Sequence, residues 1–421
     1  MELRETHHAA APLDSIRRRQ TVIIGWLLIA LAVFVVGVFG IESSGSASFR
    51  LTLPGDAFAI PDLVVPAAPY IYAVAVILAF LGGRQFVRGA AGTSALFLGI
   101  GLFLVVTAFL VWATAGKSFS LTGMLESTVV RAVPIALGGL VGVLSERVAV
   151  VNIGIEGMLL SGAFTGAVAG SLLGGWGGLA AAIIVGGLMG LMLGALVITY
   201  RVDQIIAGVA INLFVLGLTS YVSSQVLTQY RWLNNAPVFR GIEIPLLSDL
   251  PVVGRVLFSQ NIFVYGAAIM IAVATYYLFY TRMGLRARAV GEHPEAADTL
   301  GINVYRLRYI NVTIGGMVAG FGGAWFTLGS VGRFDDNMTG GRGFIGLAAM
   351  IFGRWHPVGA LLAALVFGFA DSLQQKLAIL QVPIPSEFLA MAPYIATIVL
   401  VAGIVGRARA PAADGKPYIK D

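Results

Sequence analysis

The chain has 421 residues, of which 58% are apolar and only 11% are Asp, Glu, Lys or Arg, against about 25% charged in soluble domains. So little charge cannot cover the surface of a soluble globule of this size. The composition also excludes an intrinsically disordered chain and a nucleic-acid-binding protein, and with no cysteine it excludes a disulfide scaffold. What remains is an all-α, polytopic integral membrane protein. The 54 glycines fit one, because small residues let helix backbones approach closely in lipid.

A transmembrane helix needs about 20 apolar residues. In chain order the sequence predicts about twelve spans: 21–41, 67–83, 94–115, 131–146, 153–174, 176–199, 205–226, 262–281, 309–330, 343–354, 357–375 and 389–406. The runs at 131–146 and 343–354 are short for a bilayer, which marks one or both as broken or re-entrant. Residues 1–20 read as a cytoplasmic tail, 21–93 as an extra pair of spans, 94–406 as a ten-span core and 407–421 as a second tail. The first apolar run, about 20 residues, exceeds a signal-peptide core of about 7–15, so it reads as a first transmembrane helix. The loops 42–66 and 227–261 are rich in Pro, Gly and Ser and too short to be folded domains.

Charge placement sets the orientation. With the N-terminus in the cytoplasm behind Arg17, Arg18 and Arg19, eighteen of the 27 basic residues fall on inner segments. Both termini are therefore expected in the cytoplasm. One inner segment, 282–308, stands out. Pro294 suits the first position of a helix and Glu295 its positive dipole end, Ala296, Ala297 and Leu300 favour helix, and Gly301 suits the left-handed residue that ends one. A two-turn helix over 294–300 is expected there, flanked by Arg286 and Arg288 before it and Arg306 and Arg308 after it. It is either a capped loop near anionic lipid or a rigid knob that presents an apolar and acidic face to a cytosolic partner.

Two further polar clusters interrupt the apolar runs. Ser145-Glu146-Arg147 and Asn152 lead to Glu156 at the head of the next span, where a carboxylate either braces neighbouring helices or serves transport. Glu146 and Arg147, adjacent, are expected to neutralise each other. The segment with Arg333, Asp335, Asp336, Asn337 and Arg342 precedes a short span; its glycines permit a re-entrant turn, and it reads as an outer gate or a binding-protein contact, or else as an ordinary outer loop. Within the spans Asn212, Asp371 and Gln374 are candidates for a polar path or for packing hydrogen bonds. Gly186, Gly190 and Gly194, and Gly316 with Gly320, form small-residue ladders that predict close helix packing. Gly116-Lys117-Ser118 imitates the end of a phosphate-binding loop, but Val111 stands where the motif needs its first glycine, so no nucleotide site is visible. No catalytic, cofactor or metal constellation is expected.

The segment Gly284-Leu-Arg286-Ala-Arg288-Ala-Val-Gly291-Glu292-His293-Pro294-Glu295-Ala296-Ala297, followed by Gly301-Ile302-Asn303-Val304, resembles the coupling loop of ABC import permeases in the branch for ribose, branched-chain amino acids and nucleosides. Ser145 to Arg147 with Val151 to Met158, Asn337 to Phe344, Phe352 to Trp355 with Pro357, and Gly415-Lys-Pro-Tyr418 are similar to the general nucleoside permeases. The likeness covers about 118–421, and His293 stands where that pattern has Asn. It implies a subunit of the bacterial cytoplasmic (inner) membrane with no enzymatic activity of its own. It implies ATPase coupling through Arg286, Gly291, Glu292, Pro294, Glu295, Ala296, Ala297 and Gly301. The implied partners are an ABC ATPase, a second and different permease in a heterodimer, an extracytoplasmic substrate-binding lipoprotein and the lipid bilayer. Nucleosides are the implied cargo. Simple sugars such as ribose are the alternative, and an ion-coupled secondary transporter is the rival class, for which Asp371 and Glu156 are thin provision.

Overall fold

The computed structural model describes residues 13–41, 43–54, 56, 58–88, 91–382, 385, 388, 391 and 409–420. The last predicted span, 389–406, lies outside the described residues apart from Met391. The chain forms two compact units: Met1–Thr122 with Lys376–Ser386, and Gly123–Gln375 with Glu387–Asp421.

The first unit contains α1 (Leu13–Phe34), α2 (Ala67–Arg88) and α3 (Ala91–Ala113). Leu28, Val35, Phe39, Ile71, Val74, Leu78 and Ala108 pack between them. The run at 94–115, expected to begin the core, therefore packs here with the first two helices. The loop 42–66, too short for a folded domain, contains two strands. Strand β1 (Ser46–Arg50) pairs antiparallel with β2 (Leu63–Pro66) and parallel with β3 (Ser118–Ser120). The alternation in Ser-Ala-Ser-Phe-Arg buries Ala47 and Phe49 and turns the polar residues outward, which is the signature of a half-buried strand. Lys117, the lysine of the false phosphate loop, donates to the carbonyls of Leu380 (2.6 Å) and Gln381 (3.2 Å) and so satisfies groups that a helix end leaves open.

The second unit holds α4 (Leu121–Glu146) from Gly123 on, α5 (Ile155–Gly194), α6 (Gln204–Val222) and α7 (Ile262–Tyr280). Two short helices follow, α8 (Arg282–Glu292) and α9 (Pro294–Thr299), then α10 (Val304–Phe326), α11 (Arg342–Phe352) and α12 (Pro357–Ile379). Strands β4 (Ile242–Glu243) and β5 (Ser259–Gln260) pair within the loop between α6 and α7. Helix α4 has 26 residues, not the short run expected. At 1.5 Å per residue it is about 39 Å long. Its first turns look polar in sequence, yet the Ser127 and Thr128 hydroxyls donate to backbone carbonyls within the helix. Helix α11 has only 11 residues, about 16 Å, too short to cross a hydrocarbon core of about 30 Å.

Helix α5 is not one rod. Gly174 takes φ +77° and ψ 172°. A Cβ on Gly178 would lie 2.7 Å from the Gly166 oxygen and from the Gly170 Cα. In a straight helix residues twelve apart are separated by about 18 Å, so the chain reverses at Gly174 into two antiparallel arms. These correspond to the two spans expected on either side of 175. Nine helices among the described residues are long and apolar enough to cross a membrane, the doubled α5 counted once. The protein is thus a polytopic, mostly helical membrane protein.

Helix α10 packs against both arms of α5, and the two glycine ladders face each other. A Cβ on Gly320 would lie 2.1 Å from the Ala182 oxygen, and one on Gly316 would lie 2.3 Å from the Gly186 oxygen. Both contacts are with backbone, which cannot swing aside. Gly320→Val is therefore expected to destabilise the chain by about 3 kcal/mol or more. Gly217, with nothing within 4 Å of its Cβ position, is the control. Thermal melting in detergent checks this: the Gly320 variant melts lower and Gly217→Val does not.

Candidate coupling site

The inner segment begins at a turn that admits only glycine. A Cβ on Gly284 would sit 1.9 Å from the Tyr277 oxygen. Thr281 caps α8 there, donating to the Tyr277 carbonyl (2.6 Å) and accepting from the Gly284 amide (3.1 Å). One side of the segment is buried at Gly284, Ala287, Val290, Gly291, Pro294 and Ala297, a spacing of three to four residues. The other side exposes Met283, Leu285, Arg286, Glu292, His293, Glu295, Ala296, Thr299 and Leu300.

Helix α9 is built as the local sequence dictates. His293 Nδ1 accepts from the Ala296 amide (3.4 Å), so the imidazole does the capping that a side-chain amide would do at that position. The same nitrogen lies 3.1 Å from a Glu295 carboxylate oxygen. Gly301 takes φ +79° and ends the helix, and the Asn303 side chain accepts from the Arg306 amide (2.9 Å) to start α10. Of the residues expected to couple, Arg286, Glu292, Glu295 and Ala296 stand on the exposed side. Gly291, Pro294 and Ala297 face inward and set the position of the knob. Gly301 is an exposed hinge. Leu300, 81% exposed, belongs to the knob although the coupling set omits it.

Beneath the knob lie the other segments that the charge rule assigns to the same side. A Cβ on Gly291 would meet the Arg147 carbonyl at 2.3 Å. Arg147 Nε donates to the Trp355 carbonyl (2.9 Å), while the Trp355 indole donates to a Glu146 carboxylate oxygen (2.5 Å). Arg354 and Trp355 both have positive φ, 55° and 53°, a strained pair that aims both Trp355 groups at these partners. Glu146 and Arg147 thus use Trp355 rather than neutralising each other. Adjacent residues at a helix end point about 100° apart and do not meet. The Arg147 and Arg288 guanidiniums both lie over the Phe279 ring, at 5.6 and 5.0 Å. Burial, with Arg288 beside it, holds Arg147 below the ordinary arginine value, and burial with Arg147 nearby lowers His356 likewise.

The remaining polar candidates are taken up by bracing contacts. The buried Glu156 accepts from the Thr339 hydroxyl (2.6 Å) and the Gly341 amide (2.8 Å) on one oxygen, and from the Gly343 amide (2.6 Å) on the other. A carboxylate on the amides that open α11 is the favourable arrangement for a helix N-terminus. Asn212 accepts from the Gly157 amide (2.8 Å) and donates to the Ile153 carbonyl (2.9 Å), fixing the start of α5. Asn152 is fully buried and donates to the Ser145 hydroxyl (3.3 Å). Gln204, absent from the expected set, accepts from the Val151 amide (2.6 Å).

Asp371 pairs with Arg131 (2.9 Å) and Arg342 (3.4 Å), tying α4, α11 and α12 together. Gln375, not the half-buried Gln374, hydrogen-bonds Arg131. In the outer segment Arg333 pairs with Asp335 (3.3 Å), both exposed, and Asp336 accepts from the Ser220 hydroxyl (2.6 Å). Asn337 has φ +51° in the turn. Among the described residues no group of three or more His, Cys, Asp or Glu could hold a metal ion.

A bundle of apolar helices with a rigid knob at the ends of its helices is an architecture that suits a membrane-embedded permease subunit. The family model described as "Branched-chain amino acid transport system / permease component" matches residues 124–405. The chain belongs to that family, and is a transport component rather than an enzyme. It is 44% identical over 70% of its length to 96% of the guanosine ABC transporter permease NupQ of Bacillus subtilis. It is 40% identical, at the same coverage, to the nucleoside ABC transporter permease NupC of Lactococcus lactis. It is 35% identical over 60% of its length to 77% of the putative glucose ABC transporter permease TsgC13 of Haloferax volcanii. A second guanosine permease of B. subtilis, NupP, matches more weakly, at 28% over 57% of this chain. No solved structure matches.

Proposed function

We propose that this chain is one of two permease subunits of an ATP-driven nucleoside importer in the cytoplasmic membrane. The observation that carries the reading is the knob: α9, capped at both ends, exposed on one side and anchored on the other. A separate ATPase grips it, and closing of the ATPase pair moves the helices to which it is anchored. The second permease is a different chain, a reading supported by the two distinct guanosine permeases of one organism, NupQ and NupP, that both align with this sequence. An extracytoplasmic lipoprotein delivers the nucleoside to the outer loops, both termini are cytoplasmic, and the coupling residues named above do the docking. Glu156, Asn152, Asn212 and Asp371 brace the bundle. Arg333, Asp335, Asp336, Asn337 and Arg342 line the outer side.

The test is uptake of radiolabelled guanosine into proteoliposomes with and without the ATPase and ATP. Uptake is expected only with both. Gradient-driven uptake by the chain alone would overturn the reading. The glucose permease of H. volcanii favours sugar as the second reading. Competition by excess glucose or ribose, but not by adenosine, would establish it instead.

A further inference from the structure

The C-terminal segment is fastened to the coupling site along its length. The Ala413 amide donates to the Gly291 carbonyl (3.0 Å), and the Ala412 amide to a Glu292 carboxylate oxygen (3.3 Å). Lys420 pairs with Asp298 on α9 (3.2 Å). Tyr418 is buried, 4% exposed, with its ring 5.3 Å from that of Tyr305 and 6.0 Å from the Arg308 guanidinium. The Tyr305 hydroxyl donates to the Tyr418 carbonyl (3.5 Å). Asp414, in the middle of the segment, faces the Glu146 carboxyl on α4 and Arg308 on α10. Arg308 is 2% exposed. It needs an opposite charge close by, because an unpaired buried charge is costly.

These contacts tie the end of α4, remote in the chain, to three consecutive elements: the α8–α9 turn, α9 itself and the start of α10. An ordinary polar tail would not bury a tyrosine and half-bury an aspartate. We propose that residues 411–420 are a clasp that fixes α9 to the bundle, so that the push of a docked ATPase reaches the pore. Without the clasp, α9 rests on the bundle through Pro294 and Ala297 and hangs from two turns, at His293 and Gly301. It then yields under load, and ATP is hydrolysed without transport. This inference rests on the reading of α9 as the ATPase-docking helix.

The clasp is also tuned by protonation. Burial pushes the Asp414 carboxyl up to about 6. A carboxyl whose value rises on docking holds its proton more tightly in the docked state, so docking weakens as pH rises through about 6. Burial outweighs the groups that face Asp414, a hydrogen bond with Glu146 and the charge of Arg308, both of which favour its ionised form.

The experiment uses the full transporter in proteoliposomes and measures nucleoside taken up per ATP hydrolysed. Three versions are compared: the unaltered chain, Tyr418→Ala, and a chain ending at Ala410. Tyr418→Phe, which keeps the ring, is the rescue control. Both altered chains are expected to retain the ATPase on co-purification and to lose at least tenfold in uptake per ATP, while Tyr418→Phe retains coupling. Unchanged uptake per ATP in Tyr418→Ala and in the truncated chain overturns the clasp. So does a fall in Tyr418→Ala that merely tracks less folded protein in the membrane. If the unaltered chain fails to retain the ATPase, it is the docking reading that falls.

Discussion

Leu300→Arg is expected to reduce ATPase capture and nucleoside uptake by at least tenfold, with the amount of chain in the membrane unchanged. Leu300 is 81% exposed at the tip of the knob, with Leu285 at 60% and Met283 at 42% among the exposed residues of the same segment. On the docking reading the ATPase covers Leu300. Covering one leucine is worth about 1.5–3 kcal/mol, and about 1.4 kcal/mol is a factor of ten in affinity. An arginine would forfeit that and introduce a charge to be desolvated. The fold itself should be indifferent, because the side chain makes little contact with it. Co-purification of the ATPase is the check, and unchanged capture would remove α9 from the docking role. Ala296→Trp is the steric counterpart on the exposed side. Ala297, 2% exposed, is unsuitable as a docking probe, because a larger residue there would push α9 off its seat and report on folding instead.

Glu156→Ala is expected to destabilise the chain by about 3 kcal/mol or more. It strands a buried amide, a half-buried amide and a buried hydroxyl, each costing about 1–3 kcal/mol when left unpaired in the interior. The amide of Gly343 cannot turn elsewhere, since a Cβ on that residue would already lie 2.7 Å from Glu156 backbone. Asp371→Asn should cost less, about 1 kcal/mol, because its pairs with Arg131 and Arg342 are between side chains about one-fifth exposed. The measurement is melting temperature in detergent together with uptake per folded molecule. A Glu156→Ala chain of full stability with lost uptake would make the carboxylate part of the transport path.

The apolar runs, the knob and the glycine ladders could be read from sequence because each is local: a run length, a cap, a spacing of four. What sequence concealed was pairing between distant residues. Arg131 and Asp371, 240 positions apart, each depress the hydropathy of their own segment, so the apolar run of α4 is shorter than the helix. Glu156 lay within a recognisable polar cluster, but only the fold shows that its acceptors meet the amides of 341 and 343. Trp355 and Tyr418 gave no chemical signal at all, since a tryptophan or tyrosine near a membrane face is commonplace. Their importance lies in the partners the fold brings to them.

The reversal at Gly174 bears on how the chain enters the membrane. Between Glu156 and Arg201 there is no Asp, Glu, Lys, Arg or His. The tip of the hairpin carries Leu172, Leu173 and Trp176, all exposed and apolar. Moving one charge through the membrane potential involves about 2.3 kcal/mol per 100 mV, and this hairpin moves none. Its two arms can enter lipid together as a preformed pair, and dissipating the potential during synthesis should leave their insertion untouched.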